Sequence, residues 1–126
     1  MKFGTIRNAI MDIQIVKHSI SLTELQRIAD ETFGDLLKAV VDIKQEIIAV
    51  GAELHADAEV LLTEKEGSKR EDTWGINIYP KKPKEEWIEF DSMINLKPLY
   101  GNRSRNVESH EIQNKIKSIV EKLIAT

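Results

Sequence analysis

Three stretches of the 126-residue chain concentrate side chains that could do chemistry. The first is Gly101-Asn102-Arg103-Ser104-Arg105-Asn106. In extended backbone Arg103 and Arg105 project to one side, with Ser104 between them. The run leads toward a helix start, where free backbone amides and two guanidinium groups suit a phosphate or carboxylate. The plain alternative is a solvated loop whose arginines pair with Asp91, Glu108 or Glu111. The second stretch is His55-Ala56-Asp57-Ala58-Glu59. On a strand three would-be ligands share one face; on a helix His55 and Glu59 meet at i, i+4. Asp57 as a helix N-cap and Glu59 as a first-turn acid account for both acids without a site. No second histidine cluster completes a metal centre, so no metal is expected and His55 is read as an acid/base candidate. The third is the polar face of a hairpin, with Asn77, Asp91 and Asn95 beside Tyr79 and Trp87. Rings supply contact area and the amides and carboxylate fix orientation. Its alternative is a solvent-facing sheet surface with a stabilising aromatic pair.

Taken together, these residues suggest a site for a small anionic ligand. Arg103, Ser104, Arg105, Asn77 and Asn95 would bind it, with His55 and Asp91 as acid/base groups and no cofactor. The competing reading is a non-enzymatic interaction module, a homodimer formed through a strand edge or the Tyr79/Trp87 face. The basic run Lys81 to Lys84 is followed at once by Glu85-Glu86, so it reads as a solvated hairpin tip rather than a nucleic-acid contact. Phosphate-binding glycine loops, Gly-x-Ser-x-Gly elbows and His-Glu-x-x-His pairs are absent.

The elements that must position these residues follow from periodicity. Asp12 to Val16 alternates as a short strand. Ser21-Leu22-Thr23-Glu24 has capping-box spacing and opens a helix with Leu22, Leu25, Ile28, Ala29 and Phe33 on its apolar stripe, ended by Gly34. Leu36 to Leu54 reads as two antiparallel strands turning near Lys44-Gln45, with a helix as the rival reading of the first half. A helix is expected over 57–66, with Asp57 as its cap. A second hairpin pairs Thr73 to Tyr79 with Trp87 to Leu96; Ile78 opposite Ile88 would set Tyr79 against Trp87 and Gly75 against Asp91. Ile112, Ile116, Ile119, Val120, Leu123 and Ile124 recur at helical spacing, capped by Asn106 or Ser109. The order β-α-β-β-α-β-β-α implies one α+β domain over 12–126, a mostly antiparallel sheet with its helices packed on one face. Residues 1–11 carry no period and precede a second methionine, Met11, which is the alternative start; they read as an extension.

Composition bounds the function. Apolar residues at 41% and charged residues at 31% suit a globular domain. A net charge of −3 disfavours a general nucleic-acid binder, and the absence of Cys excludes disulfides, thiolate metal sites and thiol nucleophiles. No apolar run reaches membrane-spanning length and no signal peptide opens the chain, so a cytoplasmic protein is expected.

The segments FGDLLKAVVDI, GAELHADAE, WGINIYP, WIEFDSMIN and GNRSRNVE resemble those of an uncharacterised family of small prokaryotic proteins, a domain of unknown function. The resemblance runs from about Ile15 to Leu123. It implies a single compact cytosolic domain and carries over no catalytic residue.

Overall fold

A computed structural model describes residues 12–126, so the expected extension lies outside the described residues. Five antiparallel strands form the main sheet: β1 (Gln14–Val16), β3 (Leu37–Asp42), β4 (Ile47–Ala52), β5 (Thr73–Ile78) and β6 (Ile88–Glu89), in the order β1-β4-β3-β5-β6. Two short strands, β2 (Ile20–Ser21) and β7 (Ile124–Ala125), pair in parallel. The α+β class and the mostly antiparallel sheet are as the sequence implies.

The helices depart from the expectation of one covered face. α1 (Leu22–Glu31) and α3 (His110–Leu123) pack on one side, against Ala39, Val41, Ile48, Trp74 and Ile76. α2 (His55–Glu66) packs on the other, with Ala58, Leu61 and Leu62 against Val40, Ala49 and Ala52. The reason lies in β3 and β4, whose residues are buried on both faces and therefore need cover on both.

Local sequence explains most boundaries. Ser21 Oγ accepts from Glu24 N at 3.0 Å, half of the expected capping box. The Glu24 carboxylate instead binds Arg27 and Gln14, which pull its pKa down to about 2. α1 stops at Glu31, where Thr32 Oγ1 donates to the Ile28 carbonyl, so Phe33 lies outside the apolar stripe and is exposed. The β3–β4 turn is held by Asp42, which accepts from the amides of Lys44 and Gln45 and from Ser68 Oγ at 2.6 Å. α2 begins at His55 with Leu54 as N-cap, so Asp57 is a first-turn acid and not the cap. Ser109 caps α3, and Ile124 leaves the helix for β7.

The second hairpin has the expected register, Ile78 opposite Ile88 and Asn77 opposite Glu89, but β6 is only two residues long. A 3-10 turn over Lys84–Glu86 ends at Trp87 in helical backbone, which breaks the alternation. Trp87 therefore turns into the core at 3% exposure rather than joining the polar face. A second 3-10 turn, Met93–Asn95, sends Ile94 to the α2 side.

Candidate functional site

The sheet carries a polar row at the end where α2 begins. On β5 the residues Trp74, Ile76 and Ile78 face the α1/α3 core, so Asn77 faces the α2 side. Its cross-strand neighbours are Lys38 on β3 and Glu89 on β6. The β3–β4 register shifts between Lys38 and Ala39, the kind of irregularity that re-aims a side chain. Beyond β6 the chain runs through Asp91 to the 3-10 turn at Met93, and the loop before α3 brings Arg105 alongside.

These elements enclose a cavity of about 220 Å3, lined among others by Lys38, His55, Asn77, Asp91, Ser92 and Arg105. Four residues singled out in the sequence, His55, Asn77, Asp91 and Arg105, thus stand at one opening although they are far apart in the chain. The first residues of α2 also line it, and no side chain caps that helix. Asp57 N donates to the Leu54 carbonyl at 3.1 Å, which leaves the amides of His55 and Ala56 at the positive end of the helix dipole.

Charge is distributed unevenly around this opening. Arg105 Nε donates to Asp91 Oδ1 at 2.7 Å, leaving the other guanidinium nitrogens without an acceptor among the described residues. Lys38 forms no ion pair among the described residues, and its Nζ stands 4.9 Å from the Phe33 ring centroid. With one carboxylate against two cations and a helix start, the lining is net positive. His55 is 8% exposed and its Nε2 donates to the Ile76 carbonyl at 2.8 Å. Burial holds its pKa below the ordinary histidine value, reinforced by Lys38 and opposed by the Ile76 carbonyl, Asp91 and Asn77. Asn77, 7% exposed, donates from Nδ2 to Glu89 Oε1 at 2.8 Å and to the Asp91 carbonyl at 3.3 Å, while its Oδ1 accepts nothing.

Three expected site residues sit elsewhere. Asn95 is fully buried, and its amide donates to the Gly75 carbonyl at 3.0 Å while its Oδ1 accepts from Gly75 N at 2.8 Å. It stands in for the strand partner that β5 loses when β6 ends. Arg103 and Ser104 belong to a loop organised by the buried Asn102, whose Nδ2 donates to the carbonyls of Asn95, Ser104 and Asn106. Arg103 N donates to Glu108 Oε2, and neither Arg103 nor Ser104 lines the cavity. Because Asn102 curls the loop, the extended geometry that would set both arginines side by side does not occur. Sequence reading passed over Lys38, whose only signal was its place opposite Asn77 once β3 of the first hairpin pairs with β5 of the second.

The His55-to-Glu59 cluster does not close into a metal site. Glu59 accepts from Thr73 Oγ1 at 2.6 Å and pairs with Arg70, and no group of three His, Asp or Glu among the described residues could hold a metal ion.

Among curated proteins, and among solved structures, nothing matches the chain. Residues 14–123 match the family described as protein of unknown function (DUF5674), and since that span takes in both hairpins and all three helices, the chain belongs to this family.

Proposed function

We propose that the protein binds a small anionic molecule, a phosphate- or carboxylate-bearing compound, in the cavity bounded by Lys38, His55, Asn77, Asp91 and Arg105. The observation that carries this reading is that Lys38, which forms no ion pair among the described residues, lines one cavity with the uncapped start of α2 and with Asn77. Free amides at a helix start, an ammonium and the unengaged nitrogens of Arg105 are the donors an oxyanion needs. The cavity, about 220 Å3, has room for a small phosphate- or carboxylate-bearing compound. His55 and Asp91 are the groups at this site able to exchange a proton, and the reading assigns them a place beside the ligand without a reaction.

Amide NMR spectra of the labelled protein, titrated with inorganic phosphate and with acetate, test this. Shifts should gather on Lys38, His55, Ala56, Asn77 and Arg105. Lys38→Met should weaken binding by about tenfold or more, the loss of one charge-assisted bond worth ~1.5–3 kcal/mol. Arg103→Ala should leave it unchanged. Binding insensitive to Lys38→Met would remove the assignment.

A second reading, a cytoplasmic homodimer, draws on the apolar side chains at the cavity rim. Met93 is 62% exposed and Leu54 is 58% exposed, and both line the opening. Contiguous exposed apolar patches rimmed by polar groups mark surfaces that meet another chain. Sedimentation at high concentration discriminates: a monomer whose spectrum responds to phosphate supports the ligand site alone.

A further inference from the structure

Asn77 Oδ1 is closed to water and accepts no hydrogen bond. Turning the amide over does not cure this, since Nδ2 already donates to two oxygens, Glu89 Oε1 and the Asp91 carbonyl, and reversal would set oxygen against both. An unsatisfied buried acceptor is costly. His55 lines the same cavity. A carbonyl can only accept, so the bond to Ile76 places a hydrogen on Nε2 and leaves Nδ1 of the neutral ring bare. Only the protonated ring has a second N–H to give.

We infer that His55 takes up a proton when the anion binds, and that the new Nδ1–H is donated to Asn77 Oδ1. This rests on the anion-site reading above and adds its regulation: ligand affinity rises as pH falls. The charged groups around the imidazole set the balance. Lys38 on β3 and Arg105 in the loop before α3 oppose an imidazolium. Asp91, beyond β6, favours it, as do Glu89 behind the Asn77 amide and Asp57 in the first turn of His55's own helix. Without an anion, burial and Lys38 disfavour the imidazolium. An anion against Lys38 offsets that repulsion and attracts the proton directly. By linkage the imidazolium tightens the anion by the same factor.

The test follows the His55 ring resonances against pH in the full chain, with and without sulfate, which does not titrate in this range. The exposed His18 and His110 serve as internal controls. Sulfate should raise the His55 midpoint by about 0.5 pH unit or more, which means about threefold tighter binding at low pH than at high pH. In the sulfate-free protein Asn77→Leu should lower the midpoint, because the acceptor for Nδ1–H is gone. If sulfate shifts Lys38 and Arg105 but leaves the His55 midpoint where it was, the proton coupling is overturned and the anion site stands. If sulfate shifts nothing, the site reading fails, and an unchanged midpoint in Asn77→Leu then overturns the His55–Asn77 pairing as well. The sulfate arm uses the wild-type chain and does not depend on the variant folding.

Discussion

A buried lysine shows what one residue can hold in place. Lys97 Nζ donates to the carbonyls of Arg70 and Thr73 at 2.7 and 2.6 Å and stands 3.7 Å from the centre of the Trp74 ring. It ties the loop after β6 to the start of β5, a task Arg70 shares by donating to the carbonyls of Ile94 and Leu96. Burial, reinforced by Arg70, pushes the ammonium down to about 8 from 10.5. Between those values the unfolded chain keeps a proton that the folded chain releases, so Lys97 adds stability as pH rises through the window. Below it, the cost of burying the charge is fully present. Urea midpoints of the wild type and Lys97→Met, compared from about pH 7 to 10, should therefore differ by an amount that grows with pH in favour of the wild type. A difference that stays flat would contradict this account of Lys97.

At the level of elements, the second hairpin is the part on which the site depends. Its outer strand ends after two residues, and the chain then crosses close over β5. Gly75 is the residue that allows the crossing: a Cβ there would lie 2.4 Å from Ser92 Oγ and 2.5 Å from Ser92 Cβ. Gly75→Ala should destabilise the protein by about 1–3 kcal/mol, the usual cost of overpacking a closed site. Ser92→Gly in the same chain should recover part of the loss, which a double-mutant cycle in urea would read as a coupling between the two positions. At the tip of this hairpin Lys81 pairs with Asp30 on α1 and Lys84 with Glu121 on α3, both as exposed ion pairs, and Lys82 stands over the Tyr79 ring.

Across the whole molecule, one sheet covered on both faces organises two apolar clusters, and the described ends meet. β2 and β7 join the segment before α1 to the segment after α3, with Ile20 opposite Ile124. Both side chains are buried in the larger cluster. Ile124→Ala should cost about 2–5 kcal/mol in urea unfolding, the usual loss for truncating a buried isoleucine. A loss near zero would mean that this pairing contributes nothing. The sheet edges, β1 with three residues and β6 with two, offer little free backbone to a second chain, so an edge-to-edge dimer is the weaker form of the interaction reading. No helix among the described residues is long and apolar enough to cross a membrane.

Periodicity, caps and turn residues by themselves determined the three helices, both hairpins, the Ile78–Ile88 register and the α+β class, because each depends on neighbours within a few residues. They also picked out His55, Asn77, Asp91 and Arg105 as side chains a core does not require. Tertiary structure alone decided the rest. Whether α2 lies with α1 and α3 or across the sheet from them depends on β3 and β4 being buried on both faces, which no single strand reveals. Lys38 joined the lining of the candidate site only when β3 paired with β5 and set it opposite Asn77. Asn95, Arg103 and Ser104 left the site because two side-chain amides, those of Asn95 and Asn102, were taken up in holding backbone together. A polar side chain in a sequence carries the same chemistry whether it meets a ligand or a carbonyl, and only its neighbours in space choose between them.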